Sequence, residues 1–303
     1  MDTCLFCNSA RVATYSLSGS EISFCNNCKT SGVSHPPSES EISDFYQGFS
    51  FQTDFSKYEL VATPEMRAWM EGFALRDDAK MLDVGGGGGF FAKAFEEFGL
   101  GESTYIDLDS GACEFAKNQV GLERVICDSV ENGGKYFQGQ KFDFIYCRHV
   151  VEHLVNPSHL IMQCAELLTH EGVFIVQCPS GLSKEGLLYP RYWFKFLRKT
   201  KVSNDWSWPR SFIFSLTDKH GWGLDPIRHL WAISGDGIKS LFKNQNKYVV
   251  NVKGASLADP VYSPYWHPRG CFERVTAKFA KIFCRRFKVG MHLVVEIRKN
   301  KNL

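Results

Sequence analysis

The sequence predicts an α/β fold: a parallel sheet with helices on both faces, preceded by a small cysteine-rich module. Three observations carry this. Short apolar runs alternate with helix-like stretches between residues 80 and 178, the pattern that βαβ crossovers impose. The first run, Met81-Leu82-Asp83-Val84, opens directly into Gly85-Gly86-Gly87-Gly88-Gly89 and then a helix-like stretch. Two Cys-x-x-Cys pairs stand ahead of all this, with 17 residues between them.

The cysteine pairs come first. Each knuckle turns tightly and aims two thiolates at one centre, so Cys4, Cys7, Cys25 and Cys28 make a tetrahedral S4 site for structural zinc. Four cysteine ligands leave no open position for catalysis, and so small a module depends on its metal to fold. A redox Cys-x-x-Cys is the competing reading. The residues between fit a short hairpin, with Gly19 near its turn and Ile22 and Phe24 on the return. The zinc ribbon spans residues 1–35. In the polar linker after it, Ser38 and Glu41 stand at capping-box spacing. Residues 36–75 form a helical lead-in with aromatic Phe45, Tyr46 and Tyr58 and a helix opening at Pro64.

The main domain, 76–303, offers strands at 80–84, 103–107, 124–127, 142–147 and 172–178, and helices at 89–98, 110–119 and 157–169. Ligands of such sheets sit beyond the strand C-termini, where the strand order reverses. Asp83, Asp107, Asp128 and the segment Cys147–His149 all fall on that rim. A strand, a glycine turn and a helix bring backbone N–H groups and a positive dipole end to a polar ligand. A plain flexible turn is the alternative. A dinucleotide fingerprint does not fit, because its last glycine would fall on Phe90 or Phe91.

Asp83, Gly85, Gly87 and Gly89 do fit D-x-G-x-G-x-G, which resembles motif I of the class I S-adenosylmethionine (SAM) methyltransferases. Ile106-Asp107-Leu108-Asp109 resembles their motif II, and Phe142 to Leu154 their fourth strand with its Glu-His-Leu tail. The likeness runs from about 80 to 180. It implies a Rossmann-like, seven-stranded, mostly parallel sheet. It also implies that Asp83 and the glycines hold the cofactor's amino-acid end and Asp107, beside Leu108, its ribose. Asp128 and Ser129 then meet the adenine edge, and Arg148 lines the same rim. Arg228 to Ser234 resembles the lid of a subset of the superfamily, within an insertion at about 181–245; Tyr248 opens a sixth strand and Gly290 to Arg298 gives the last, antiparallel one.

A ribbon ahead of such a core is similar to small-molecule methyltransferases of sugar, polysaccharide and natural-product pathways. Ribbon-bearing sugar C-methyltransferases usually carry a further large domain, so the expectation here is O-methylation. The acceptor is a small molecule, with nucleotide- or lipid-linked sugars among the options. Rival readings are an RNA methyltransferase gripping RNA with the ribbon, and a non-catalytic scaffold. The ribbon speaks against RNA, since between Met1 and Asp44 only Arg11 and Lys29 are basic.

Methyl transfer asks for alignment, desolvation and, with a hydroxyl acceptor, removal of a proton. Histidine suits that task. His149 lies just past the fourth strand, His153 one turn on beside Glu152, and His229 in the lid segment. Stacking near the cofactor or bracing the helix start competes for His149 and His153, and lid packing for His229; His229, lying outside the cofactor half, is the preferred base.

Composition bounds the rest. The 303 residues can bury one large core, and the formal net charge of +2 gives no overall polyanion signal. Eleven cysteines, an odd number, with several inside strands and helices, point to reduced thiols and a cytoplasmic protein. Met1-Asp2-Thr3 does not read as a signal peptide, and no apolar run nears the roughly 18 residues of a membrane span. Two stretches, 189–199 and 272–288, are both aromatic and basic. The bulky residues Phe272, Val275, Phe279, Ile282 and Phe283 are expected to pack an amphipathic helix on the core. Contact with an anionic membrane surface and with phosphates are the alternatives.

Overall fold

The computed structural model describes residues 3–38, 40–42, 54–129, 132, 135–137, 139–203, 206, 224, 228–287 and 290–301. Asp44 to Tyr46 and, within the 181–245 insertion, residues 204–205, 207–223 (with Trp208 and Trp222) and 225–227 lie outside these. Two sheets organise the chain. The large one has seven strands in the order β10-β11-β8-β7-β4-β5-β6. These are β4 (Ala79–Val84), β5 (Gly101–Asp107), β6 (Val125–Cys127), β7 (Phe142–Arg148), β8 (Leu168–Pro179), β10 (Tyr248–Ala255) and β11 (His292–Lys299). β4 to β8 run parallel and β11 runs against its neighbours, so the sheet is the mostly parallel one expected. The chain leaves β4 toward β5 and β6 and returns to β7 on the other side. The strand order therefore reverses between β4 and β7.

Period-two patterning builds a core on each face. Phe144 and Tyr146 of β7 join Met81, Tyr105 and Phe95 under α1 (Pro64–Glu71) and α2 (Phe90–Glu97). Ile145 and Cys147 face the other way, with Leu82, Phe174 and the inner side of α4 (Pro157–Glu166). α3 (Ser110–Asn118) lies beside β5 and β6. Helix starts follow the sequence. Thr63 and Asn156 cap α1 and α4 ahead of a proline at N1, and Asp109 caps α3. Ser38 and Glu41 close their capping box reciprocally.

Some boundaries move. β8 begins at Leu168 rather than 172, because Leu168 pairs with Phe142 before a bulge restores the register. α4 ends at Glu166 rather than 169 for the same reason.

The smaller sheet has four strands: β1 (Arg11–Leu17), β2 (Ser20–Cys25), β3 (Ser31–Val33) and β9 (Trp231–Ala232). β1 and β2 are the expected hairpin, with Gly19 at φ +81° in its turn. β9 comes from the lid segment and pairs with β3. The ribbon is therefore stitched to residues 230–234, and Phe6, Leu17 and Ile22 share one core with the β7–β8 face of the large sheet.

α5 (Pro190–Ser203), α6 (Gly235–Leu241) and α7 (Gly270–Phe287) complete the fold. α7 reverses the expected packing. Its inner face is small, Ala277, Ala280 and Cys284, while Phe272, Val275, Phe279, Ile282 and Phe283 face solvent. Small residues let the helix lie close to the domain, which turns the bulky stripe outward.

Candidate functional site

The glycine loop follows β4 at the point where the strand order reverses. Gly85, Gly87 and Gly89 have φ of +63°, +54° and +71°, which other residues adopt only with strain. A Cβ on Gly86 would lie 2.6 Å from Asp83 Oδ2, whereas one on Gly87 would meet nothing within 4 Å. The loop thus presses on Asp83 with one residue and opens outward with the next. Tyr105 pins it by donating its hydroxyl to Gly87 O at 2.7 Å.

Two carboxylates face this loop. Asp83 is buried and accepts the Ala92 N–H at the start of α2, but its Oδ2 has no partner. Burial pushes its pKa up to about 7; Asp107 adds to the rise, while the Ala92 N–H and the Arg148 charge oppose it. Asp107 accepts the N–H of Gly87 (3.0 Å) and of Asp109 (3.0 Å), and burial raises its pKa as well. Leu108 is an exposed apolar side chain next to it. Arg148 lies over the rings of Phe91 (5.2 Å) and Tyr265 (5.7 Å). A buried carboxylate oxygen without a partner, beside a second desolvated carboxylate, is a site that wants a cation. SAM carries two positive centres, its ammonium and its sulfonium, and the cradle fits it.

Asp128 lies just past β6, at the rim. Both its oxygens are engaged within its own loop, by Ser129 N–H, Asn132, Tyr136 and Lys135, each at 2.7 Å. These donors hold its pKa well below the usual carboxylate range, Lys135 foremost. An adenine amino group would have to compete with all four.

The candidate histidines gather at Glu152: its Oε1 lies 3.0 Å from His149 Nδ1 and 3.8 Å from His153 Nε2, and His229 brings a ring nitrogen within 4.8 Å of the carboxylate. His149 follows β7 in a left-handed conformation, φ +55°, costly for a side chain of this size. Its Nδ1 lies 3.0 Å from Glu152 Oε1, so Nδ1 carries the proton and Nε2 keeps a lone pair. Burial, then Arg148 and His153, holds its pKa well below the ordinary value. The adjacent Val150 crowds the loop: a Cβ on Gly85 would lie 2.4 Å from its Cγ2. His153 donates from Nδ1 to Arg228 O at 2.6 Å and meets the His229 ring edge-on, 4.8 Å between centroids. Glu152, His153 and His229 each bring a ligand atom within 4.8 Å of the others, a set able to hold a divalent ion.

Sequence reasoning missed His292. It opens β11, lies edge-on to His149 at 5.2 Å, and shares a 2.6 Å hydrogen bond between its Nε2 and Ser263 Oγ. Its signal was positional: the first residue of an antiparallel strand falls where the parallel strands end.

The four ribbon cysteines converge. Cys4 and Cys28 Sγ are 3.5 Å apart, Cys7 and Cys25 3.4 Å, and all four lie within 4.8 Å of one another. Zinc–sulfur bonds of about 2.3 Å imply tetrahedral edges of about 3.8 Å, so the thiols fit zinc. Arg11 lies over the Trp231 ring at 5.1 Å and bonds Gly32 O at 2.8 Å; burial lowers its pKa, and the neighbouring cysteines only partly oppose this.

The ribbon grips the segment that follows His229. Ser234 donates its hydroxyl to Cys28 O and shares a 3.2 Å hydrogen bond with Thr30. Val33 donates to Leu230 O, and Leu230 to Glu152 O. Trp231 donates to Leu154 O at 2.8 Å. The ribbon is therefore tied through Leu230 to the backbone of the residue that orients His149.

Comparisons with known proteins agree with this geometry. A family model described as "Methyltransferase domain" matches residues 58–252. A ubiquinone biosynthesis O-methyltransferase of Proteus mirabilis is 32% identical over 97 residues, 31% of this chain and 39% of that protein. The chain thus spans about two fifths of the length of that curated relative. Its Paracidovorax citrulli namesake is 24% identical over 197 residues, 57% and 79% of the two chains. Among solved structures, a SAM-dependent methyltransferase from Archaeoglobus fulgidus matches with TM-score 0.49 and 16% identity over 80% of this chain and 94% of that one. The plantazolicin methyltransferase BamL, solved with S-adenosylhomocysteine (SAH), gives 0.46 and 17%, over 88% and 92%. With its motif I loop at the strand reversal and that family model spanning more than half its length, this chain belongs to the class I SAM-dependent methyltransferases.

Proposed function

We propose that this protein transfers the methyl group of SAM to a hydroxyl of a small-molecule acceptor, a precursor in sugar, polysaccharide or natural-product synthesis. The unpartnered, buried Oδ2 of Asp83 carries the reading. It supplies the countercharge for the cofactor's ammonium, Asp107 accepts from the ribose hydroxyls, and Leu108 offers an apolar surface to the adenine. When bound, the cofactor supplies a methyl group on an electron-poor sulfonium. The chain's own work is then proton removal. His149 is neutral, is oriented by Glu152 through Nδ1, and keeps Nε2 for the acceptor O–H. Among the three candidate bases it is the one whose neighbour borders the glycine loop. His153 and His229 meet each other edge-on at 4.8 Å, next to Arg228.

Zinc in the ribbon holds this half in place rather than reacting, since all four ligand positions are filled by cysteine. The ribbon's scarcity of basic residues supports the small-molecule reading over the RNA reading: Arg11 is partly buried against Trp231 and Gly32, which leaves Lys29 exposed.

Calorimetry with SAH tests the cofactor site, and a labelled-methyl assay on metabolite extracts tests transfer. SAH binding that Asp107→Ala weakens about 100-fold, together with label in a low-molecular-weight product, is the expected result. Absence of SAH binding would leave the scaffold reading in its place, and label found only in RNA would replace the acceptor class.

A further inference from the structure

We propose that α5 and α7 together form a docking face for an anionic lipid surface. The observation is a bulky apolar stripe turned to water. On α7, Phe272, Val275, Phe279, Ile282, Phe283 and Phe287 are each between 50% and 73% exposed. On α5, Trp193, Phe194 and Leu197 are exposed too, at 44% to 66%. Nine such side chains on two helices exceed the scattered apolar exposure of an ordinary surface.

The helices are neighbours. Arg191 at the start of α5 pairs with Glu273 at the start of α7 (3.4 Å), and Tyr192 packs on the cluster that includes Ala280 and Cys284. Both helices connect to strands of the large sheet, β8 and β11. α5 follows β8 through Glu185–Leu188, and α7 leads into β11, whose first residue is His292.

Charge selects the occupant. α5 carries five Lys and Arg and no acid; α7 carries five and one acid, Glu273. That acid is buried and paired with Arg191. The two helices thus hold a net charge of +9 in a chain whose total is +2, so all other residues together are net −7. Arg274, Lys278 and Arg286 stand exposed between the apolar residues. A basic helix pair with aromatic and aliphatic side chains outward is the composition that lies in the headgroup layer of an anionic bilayer. A two-fold dimer through this face would set like charge against like across the interface. RNA would gain nothing from Val275, Ile282 and Leu197, which have no ring for a base to stack on.

The same face would admit an acceptor carried on a lipid to the cofactor edge. That extension rests on the methyl-transfer reading; lipid binding itself does not, and it is measured without turnover.

The test is co-sedimentation of the full chain with vesicles of about seven parts phosphatidylcholine to three parts phosphatidylglycerol, against pure phosphatidylcholine. Binding to the anionic vesicles alone, weakened by added salt, is expected. Phe279→Glu with Ile282→Glu, both at exposed positions, should cut the partition at least about tenfold with the melting temperature unchanged. Arg274→Gln and Lys278→Gln should each cut it about fivefold. No binding to the anionic vesicles, or binding that the double variant leaves intact, overturns the proposal. So does light scattering that shows the double variant turning a dimer into a monomer in the absence of lipid, which would make this face a protein interface.

Discussion

On the β4–β5 side of the sheet edge, the carboxylates of Asp83 and Asp107 come from consecutive strands, and one loop of five glycines lies between them. On the β7–β8 side, the histidines arrive from three stretches: residues 149–153, the segment around 229, and the start of β11. The first group is positioned by local chain geometry. The second is positioned by the ribbon, which holds residues 230–234 against Glu152. The carboxylate side should therefore survive insults that dismantle the histidine side, and on the proposed function this separates cofactor binding from turnover.

The largest test of that contrast removes the metal. Cys25→Ser, or a chelator strong enough to strip zinc, should unfold the ribbon and abolish turnover, because ion binding is folding energy for so small a module. SAH affinity, by calorimetry, should remain. Loss of both together would mean that the halves are not separable.

Next is the base. His149→Ala should lower kcat by about 10²- to 10⁴-fold with SAH affinity unchanged. His149→Gln, which keeps the donor to Glu152, should be no better. An equal loss of cofactor affinity would move His149 to the other side of the comparison.

Asp107→Ala should weaken SAH binding by about 100-fold, the worth of charge-assisted hydrogen bonds to two hydroxyls. Zinc content should not change.

Asp83 makes the contrast visible in pH. Its pKa rises to about 7 in the folded chain, above its unfolded value. Between about pH 4 and 7 the native state therefore holds the extra proton, and stability of the ligand-free protein falls as pH rises through that window. Ionising Asp83 costs on the order of 4 kcal/mol there. Asp83→Asn should flatten that part of the denaturation profile and stabilise the free protein at pH 8, while removing SAH binding. A slope identical to that of the unsubstituted chain would contradict the assignment.

The smallest test is a methyl group. A Cβ on Gly32 would lie 2.4 Å from the Trp231 ring. Gly32→Ala should cost about 1–3 kcal/mol in thermal stability and slow turnover, again without touching SAH affinity.

Much of the geometry around the glycine loop was legible in the sequence because its determinants are local. Asp83 and Asp107 each end an apolar strand, and Gly85, Gly87 and Gly89 are spaced for the turn they make. The histidine side was legible only as a list of histidines. Their gathering at Glu152 is a tertiary fact, and so is the neighbour His292. The pairing of β3 with β9 had no local signal, since β9 is two residues long and lies some 200 residues from its partner. For α7 the stripe was read correctly and its direction was not. Periodicity shows that a helix has an apolar side, but here the small residues Ala277, Ala280 and Cys284 let the backbone approach the domain, which decided the contact.

The four-stranded sheet also sets a timetable. The first 35 residues leave the ribosome early, yet the outer edge of β3 has no neighbour until Trp231 emerges. At about 5–20 residues per second, that edge waits on the order of ten seconds or more. During synthesis it is an unpaired strand in a crowded setting, open to strands of other nascent chains. The same ribbon produced alone, without residues 228–234, would keep that edge bare permanently.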